Sequence, residues 1–355
     1  MKITVIGAGN GGQAIAGYCA WLGYDVCLYD IVLDHLAPVV ESHKIHLKGQ
    51  LDITGKIDIV TDDIKTAVEY SKLIFIVTTA NAHAPLAQNM APYLTSEHTI
   101  LLNPGRTFGA LQFSSTLAKF RPDINPDIAE AQTLVYACRV VEPGVVNIIG
   151  IKDKVLLAGR SSEESDRVIA KVSGIYQCFV KSRDLIHTGL LNVGAIFHPS
   201  IVMFNAATIE RQDKFYFYRQ MTPKIGACIE KLDAERIAVG RAYGIELMPV
   251  SDWILYAYPG TKGDTLAERM RNNAAYHDIL APGSIFTRQL TEDIPTGLLP
   301  MSELGKVAGV KTPIMDSFIN LSSALLDIDF TEKGRTLKNL GLDGLSVEQI
   351  IEKLA

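Results

Sequence analysis

The sequence contains little cysteine, and its cysteines form no recognisable pattern. Its 355 residues include five cysteines, which are scattered, odd in number and never spaced as CxxC. Such a set argues against a disulfide framework or a zinc site and is typical of a reducing compartment. We therefore expect no bound metal, and we expect most of the cysteines to be small buried apolar side chains.

Long apolar runs and a strong excess of one charge are also missing. No stretch approaches the roughly 18 apolar residues of a membrane span, and the apolar run at residues 3–6 is too short for the core of a signal peptide. The formal net charge of −5 gives no electrostatic reason to expect nucleic acid or an anionic membrane as a partner. We expect a soluble, cytoplasmic protein.

The first half of the chain alternates short β-branched runs with helical patterns. This order predicts a parallel, doubly wound sheet with helices on both faces, in an α/β domain covering residues 1–184. Near its end we predict a strand at Thr133–Ala137. We also predict a β-ribbon, Val145–Ile149 with Val155–Ala158, that closes the sheet.

Long helical patterns dominate from about Leu185 onward, and one of them runs continuously over Lys306–Leu325. Extended candidates are scarce in this half, which predicts a C-terminal all-helical domain over residues 185–355. No linker rich in proline, glycine or serine separates the two halves, so we expect two directly connected domains.

A glycine-rich loop follows the first predicted strand. Residues 7–12 read GAGNGG, a GxGxxG motif that opens a helical pattern. In this context the first glycine permits a tight turn, the second lets the backbone approach a pyrophosphate, and the last lets the helix pack on the strand. The helix N-terminus then faces the phosphates with unpaired N–H groups. The motif predicts a Rossmann domain that binds a dinucleotide through Gly7, Gly9, Asn10, Gly11 and Gly12.

The second predicted strand ends at Asp30. A carboxylate there can accept hydrogen bonds from the adenosine ribose and would repel a 2′-phosphate, and no Arg or Lys follows in residues 31–33. This favours NAD over NADP as the cofactor. Two later strands also end in polar segments, at the edge of the sheet where ligands bind in open α/β folds. The candidates for the nicotinamide side are Thr78, Thr79, Asn103 and Gly105.

A nicotinamide enzyme needs a group that handles a proton as the hydride moves, and histidine suits this at neutral pH. His198 differs from the other histidines because it lies in a long apolar helical pattern directly before a proline. It is either a satisfied core histidine or a catalytic one. Asp293 is the predicted partner that fixes the tautomer of the imidazole. Arg288 is suited to grip a carboxylate with two hydrogen bonds, or it forms a structural ion pair with Glu292 or Asp293.

These segments together resemble the octopine/nopaline dehydrogenases, or opine dehydrogenases more broadly. The motifs occur in the family's order along nearly the whole chain: GAGNGG at Gly7–Gly12, LNPGRTFGALQF at Leu102–Phe113, HPSIVMFNAATIE at His198–Glu210, LDAER at Leu232–Arg236, TEDIPTGLLP at Thr291–Pro300 and GRTLKNLGLDGLS at Gly334–Ser346. The first motif is generic, whereas those around His198 and Asp293 are more specific.

The resemblance implies a reductive condensation of an L-amino acid with a 2-keto acid such as pyruvate, and the reverse oxidation of an N-(carboxyalkyl)amino acid. The hydride donor would be NADH or, less favoured, NADPH. It implies that His198 donates and accepts the proton, that Asp293 is its partner, and that Arg288 clamps the carboxylate of the amino acid.

Other substrate contacts follow from the same resemblance. Some members carry an aromatic side chain one helical turn before the histidine, where this sequence has Gly194. Tyr216 and Tyr218 either supply aromatic contacts instead or pack between helices. Asn192 is a further candidate for substrate binding. The expected partners are a small-molecule amino acid and a keto acid, and a homodimer is one expected assembly because helical second domains of this architecture often dimerise.

Two alternatives remain open from the sequence. Enzymes resembling glycerol-3-phosphate dehydrogenase or ketopantoate reductase join the same two kinds of domain, but they typically use a lysine to handle the proton, and residues 182–213 around His198 contain no lysine. A non-catalytic NAD-binding sensor would keep the glycine loop and would need neither His198 nor Asp293.

Overall fold

The computed structural model describes residues 1–354, which divide into two compact units. Residues 1–188, with residues 353 and 354, form the first unit, and residues 189–352 form the second. The division at 188/189 falls within the helix Leu185–Leu190. The domain ranges 1–184 and 185–355 stay a prediction.

Twelve strands form two β-sheets in the described part of the first unit: β1 (Lys2–Ile6), β2 (Asp25–Tyr29), β3 (Lys44–Gly49), β4 (Ile53–Lys56), β5 (Ile59–Thr61), β6 (Leu73–Ile76), β7 (Thr99–Leu102), β8 (Asp127–Ala131), β9 (Tyr136–Glu142), β10 (Val145–Ile151), β11 (Val155–Gly159) and β12 (Phe179–Lys181). The main sheet has the order β12-β11-β8-β7-β6-β1-β2-β5, and only its β8–β11 pair is antiparallel. The second sheet has the order β4-β3-β10-β9.

The main sheet reverses its direction of growth at β1. From this strand the chain adds β2 and β5 on one side and β6, β7 and β8 on the other. That reversal is the doubly wound arrangement, so the predicted Rossmann fold is confirmed. Ligands of such sheets bind beyond the carboxyl ends of the strands at the reversal point, which is where β1 leads into the glycine loop.

Six α-helices precede the helix Leu185–Leu190 in the described residues of the first unit: α1 (Asn10–Trp21), α2 (Ala37–Ser42), α3 (Ile64–Tyr70), α4 (His83–Met90), α5 (Gly109–Phe120) and α6 (Ser162–Val172). Their starts follow local chemistry, since Asp63 and Ser161 accept hydrogen bonds from the N–H groups of the first turns of α3 and α6. Strands β6 and β7 are buried along their whole length, which explains why every residue of β6 and all but Thr99 of β7 are apolar.

Two strand predictions are wrong. The segment at Thr133–Val135 is a loop between β8 and β9, and β8 was missed because its sequence, DIAEA, carries two acidic residues. One of them, Glu130, is fully buried because its carboxylate accepts hydrogen bonds from the Ala110 N–H and the Thr188 hydroxyl. The predicted ribbon does not form either, since β10 pairs with β3 and β9 whereas β11 joins the main sheet. A single turn separates β10 from β11, and its residues give no signal that the chain changes sheet.

The second unit is built from helices, as predicted. Among its described residues the one β-type contact is an isolated bridge between Tyr216 and Leu280. A π-helical turn at Ile294–Leu298 separates α13 from α14. The helices from the unit boundary onward are α7 (Leu185–Leu190), α8 (Gly194–Phe204), α9 (Ala206–Glu210), α10 (Pro223–Ala242), α11 (Val250–Ala257), α12 (Leu266–Asn272), α13 (Arg288–Thr291), α14 (Leu299–Val307), α15 (Pro313–Leu326), α16 (Phe330–Lys333) and α17 (Val347–Leu354).

The predicted continuous helix at Lys306–Leu325 is broken. Helix α14 ends at Val307, Gly309 takes a left-handed φ of 67°, and α15 begins at Pro313. Glycine and proline are the usual signals for a helix end and a helix start, and the apolar periodicity on both sides concealed them.

Helices α7 and α8, with the short break at residues 191–193, together make a stretch that is long and apolar enough to cross a membrane, which the apolar run in the sequence did not reveal. In the structure 72% of its apolar window is buried. Its apolar side chains are thus already shielded by protein, as in the core helix of a soluble fold.

Candidate active site

The conformation of the loop between β1 and α1 requires glycine at two positions. Gly7 has a φ of 97°, in the left-handed region that favours glycine. A Cβ on Gly12 would collide with the carbonyl oxygen of Gly7, so the helix can start this close to the strand only with glycine there. Gly9 is surrounded by open space, and no side chain in residues 1–354 caps the helix at this position. The N–H groups of the first helical turn are therefore available to a phosphate.

Two predicted loop residues also hold the loop in place. Asn10 Oδ1 accepts a hydrogen bond from the Val140 N–H at 2.7 Å, which ties the start of α1 to β9. A Cβ on Gly11 would press on the side chains of Leu134 and Val77, so glycine allows a close approach there.

Asp30 braces the same loop. The N–H of Ala8 donates to Asp30 Oδ2 at 2.7 Å, and the N–H of Val32 donates to Oδ1 at 3.1 Å. The carboxylate is only partly buried, and each oxygen keeps a second lone pair for a ribose hydroxyl. The sequence suggested the ribose role but not the bracing, because nothing in the spacing showed that Asp30 would reach back to the loop.

Three neighbouring strands of the main sheet lead into side chains whose polar atoms are buried and have no hydrogen-bond partner among residues 1–354. These atoms are Thr78 Oγ1 after β6, both side-chain polar atoms of Asn103 after β7, and Gln132 Oε1 after β8. Leaving buried polar groups unpaired costs free energy, so a row of them indicates a place for a polar ligand. The amide and hydroxyl groups of a nicotinamide nucleoside match this polarity, and these residues fit that half of the cofactor.

Gln132 was missed because β8 itself was missed. The other two predicted residues at this edge form backbone hydrogen bonds, and the carbonyl of Thr79 accepts one from the Ala82 N–H. Thr79 precedes the short 3₁₀ turn Ala80–Ala82. The Gly105 N–H donates to the carbonyl of Ala131, and a Cβ on Gly105 would collide with Glu130.

His198 and Asp293, 95 residues apart in the chain, meet in the second unit. His198 Nδ1 lies 2.6 Å from Asp293 Oδ2. The Asp293 side chain is fully buried, whereas 16% of the His198 side chain is exposed. A short bond to a buried carboxylate fixes the imidazole with Nδ1 towards Asp293 and leaves Nε2 as the nitrogen that can exchange a proton. Residues 1–354 contain no group of three or more His, Cys, Asp or Glu side chains placed to hold a metal ion.

Close packing against α8 positions this pair. Asp293 immediately precedes the π-helical turn Ile294–Leu298, and Gly297 in that turn faces the start of α8. A Cβ on Gly297 would collide with Ala195 and would lie 3.2 Å from Asn192 Nδ2. Glycine at 297 therefore lets the turn approach the helix. Asn192 is 3% exposed and belongs to this packing contact.

Arg288 lies at the start of α13 and points partly into solvent. Its Nη1 donates to Glu292 Oε2 at 3.3 Å, and 48% of the arginine side chain is exposed against 4% for Glu292. The ion pair with Glu292 that the sequence left open is therefore present. A partly exposed guanidinium on one weak contact can turn towards a ligand, so a carboxylate clamp stays a prediction.

Two aromatic side chains lie near the ring of His198. Its ring centroid lies 6.2 Å from that of Phe217 and 6.5 Å from that of Tyr218. Tyr218 stacks on Tyr276 at 4.3 Å, and burial raises the pKa of Tyr276 well above its ordinary value, so this phenol stays neutral. Tyr216 lies elsewhere, with its ring 4.4 Å from the Arg219 guanidinium. Of the two predicted tyrosines, the structure brings only Tyr218 to the histidine.

The fold and these two sites define a class of protein: a nicotinamide-dependent dehydrogenase with a Rossmann domain and a helical domain that carries a histidine paired with a buried aspartate. Family models match both parts. Residues 2–112 match the N-terminus of NAD-dependent glycerol-3-phosphate dehydrogenase, and residues 181–326 match the alpha-helical domain of NAD/NADP octopine/nopaline dehydrogenase.

Similar proteins cover the whole chain. An opine dehydrogenase from Arthrobacter sp. (strain 1C) is 36% identical over 350 residues, which are 98% of this chain and 97% of the relative. An opine dehydrogenase from Haliotis discus hannai is 25% identical and covers 90% of this chain and 89% of its own. A solved octopine dehydrogenase with NADH and L-arginine has a TM-score of 0.81 at 18% identity, covering 99% of this chain and 98% of the other.

The chain belongs to the opine dehydrogenase family. It is an NAD(P)-dependent dehydrogenase acting on CH–NH bonds, and its N-terminal part is an NAD(P)-binding domain. The resemblance found in the sequence motifs is confirmed, as is the nicotinamide cofactor.

Proposed function

We propose that this protein joins an L-amino acid to a 2-keto acid such as pyruvate by reductive condensation, with NADH as reductant. The amino group and the keto carbonyl lose water to form a C=N bond, and addition of a hydride and a proton gives the N-(carboxyalkyl)amino acid. The single observation that carries this proposal is the 2.6 Å contact between His198 Nδ1 and the buried Asp293 carboxylate.

His198 would move the proton in both directions. A nicotinamide bound to the Rossmann domain supplies or removes the hydride. Because Asp293 engages Nδ1, His198 Nε2 is the atom that donates a proton during condensation and accepts one from the amine during oxidation. The Asp293 carboxylate stabilises the imidazolium that exists between these events.

The substrate would be held around this imidazole. Arg288 is the proposed clamp for the amino-acid carboxylate, because its guanidinium is partly exposed and suited to a bidentate contact. Tyr218 and Asn192 are the proposed neighbours of the rest of the molecule. Tyr216 is the weakest of the proposed contacts, since its ring packs beside Arg219.

NADH rather than NADPH is the proposed cofactor. The Gly7–Gly12 loop fits a pyrophosphate, and the Asp30 carboxylate beside it would repel a 2′-phosphate. Thr78, Asn103 and Gly105 are the proposed residues on the nicotinamide side, with Thr79 next to them.

NADH oxidation measured with pyruvate and a panel of L-amino acids tests the proposal directly. Turnover should require both the amino acid and the keto acid, whereas a glycerol-3-phosphate or ketopantoate type of enzyme would reduce its single substrate without an amine. Turnover on dihydroxyacetone phosphate or ketopantoate alone would therefore reverse the assignment. A sensor without catalytic activity would bind NADH and show no turnover, and replacing His198 would change nothing.

The location and assembly are also proposals. We propose a cytoplasmic protein, which the five free cysteines support. Fractionation of cells that express a tagged chain tests this. A homodimer is the proposed assembly, and sedimentation at micromolar concentrations distinguishes it from a monomer.

A further inference from the structure

Arg335 is a fully buried arginine beside the turn that follows Asp293. Its exposure is 0%, and its backbone N–H donates to the carbonyl of Pro295 at 2.9 Å. The preceding Gly334 makes this approach possible, since a Cβ there would collide with Leu299. The backbone of Arg335 is thus fixed against a residue two positions from Asp293.

Two buried acids immediately precede this turn. Glu292 is 3% exposed and Asp293 is 0% exposed. Two of their cationic partners are Arg288, which is half in solvent, and His198, which is charged only when protonated. A buried charge is strongly destabilising unless an opposite charge offsets it. A guanidinium keeps its charge at every accessible pH, so Arg335 is suited to balance this pair permanently.

The other fully buried arginine has a different set of partners. Arg236 in α10 donates to Asp233 Oδ1 at 2.7 Å and to the carbonyl oxygens of Leu190 and Met248. None of these groups belongs to the segment around Asp293. Arg236 therefore forms a self-contained structural ion pair and provides a matched control.

We propose that Arg335 is the permanent counter-charge of Glu292 and Asp293, and that it acts as a positioning residue for the His198–Asp293 pair. The inference rests on the proposed function only for its kinetic consequence. Without this positive charge the two carboxylates would favour the protonated imidazole, and the neutral His198 needed for oxidation of the amine would appear only at higher pH.

The elements packed on α8 bring several charged and titratable groups. Asp293 and Tyr218 lie beside the His198 ring, and the buried or partly buried groups are Arg288 and Glu292 from α13, the Asp233–Arg236 pair and Glu235 from α10, and Asp316 from α15, which accepts a hydrogen bond from Ser302. The half-buried Cys228 also belongs to α10, and the exposed groups of α9 and α10 are Glu210, Lys224, Glu230, Lys231 and Arg241.

The test compares Arg335→Met, Arg335→Lys and the control Arg236→Met. Arg335→Met should move the acid limb of kcat/KM for opine oxidation to higher pH by about one unit. It should lower kcat about tenfold and leave KM for NAD within about twofold. Arg335→Lys should restore the wild-type pH profile because it keeps the charge. Arg236→Met should lower the melting temperature without moving the profile.

A readout without substrate separates this inference from the proposed function. The melting temperature of Arg335→Met should fall further below that of the wild type as pH rises from about 5 to about 8, because the buried acids then ionise without a counter-charge. Adding Glu292→Gln should recover part of that loss. A loss that does not depend on pH, or a pH profile of Arg335→Met that overlays the wild type, would overturn the inference. Failure of the wild type to turn over would instead count against the proposed function.

Discussion

Replacement of Asp293 by asparagine should nearly abolish catalysis while leaving the fold and NADH binding intact. The change removes one buried charge and keeps the volume of the side chain. A hydrogen bond to a charged group contributes about 1.5–3 kcal/mol, and the amide can also donate to Nδ1 and hold the imidazole in the wrong tautomer. Together these effects predict a fall in kcat of about 10²–10⁴, or about 3–5 kcal/mol of transition-state stabilisation.

The assay is steady-state NADH oxidation with saturating pyruvate and amino acid, alongside fluorescence titration of NADH. The double variant His198→Ala/Asp293→Asn should have the same kcat as His198→Ala alone, because the effects of substitutions on kcat are not additive when the residues act as a unit. Asp316→Asn is the matched control. Asp316, in α15, accepts a hydrogen bond from the Ser302 hydroxyl, and an asparagine there can still accept it. A kcat for Asp293→Asn within about threefold of the wild type would refute the role given to this carboxylate.

Three further outcomes are expected. Gly297→Ala should lower the free energy of unfolding by about 1–3 kcal/mol, measured in urea, and reduce kcat, because the new Cβ collides with Ala195; an unchanged urea midpoint would contradict this packing. Asp30→Asn should reduce the kcat/KM preference for NADH over NADPH by about tenfold, since the repelling charge is lost while an acceptor remains for Ala8; an unchanged ratio would count against it. Burial, followed by the charge of Arg106, lowers the pKa of Lys152 to about 8. The unfolded chain therefore binds more protons than the folded chain between about pH 8 and 10, and the free energy of unfolding should rise with pH across that window. Lys152→Met should remove this rise.

The elements that the sequence predicted well are those whose chemistry is local. The glycine loop, the apolar strands β1, β2, β6 and β7, and the helical second half each depend on neighbours within one turn or one strand. Strand β8 was not predicted, because the burial of its Glu130 depends on hydrogen bonds from Ala110 and Thr188, which are far away in the chain. Long-range pairing of this kind leaves no local pattern.

The candidate site divides in the same way. His198 and Asp293 were singled out by motif and chemistry, although spacing alone could not place residues 95 positions apart within 2.6 Å. Gln132 and Arg335 were missed because the sequence does not show which polar side chains are buried. Gln132 has a buried oxygen without a hydrogen-bond partner among the described residues, and Arg335 is a buried charge whose backbone is held by a distant turn. Tyr216 was singled out with Tyr218 because they are near in sequence, yet their rings have different neighbours.

Transfer of deuteride tests the central claim most directly. The protein is incubated with pyruvate, an accepted L-amino acid and NADH that carries deuterium at the transferred position of C4, and the products are analysed by mass spectrometry. We expect an N-(1-carboxyethyl)amino acid with one deuterium on the former keto carbon, formed by the wild type and reduced about 10²–10⁴-fold by His198→Ala. Deuterium recovered in lactate, with no product that contains the amino acid, would contradict the account.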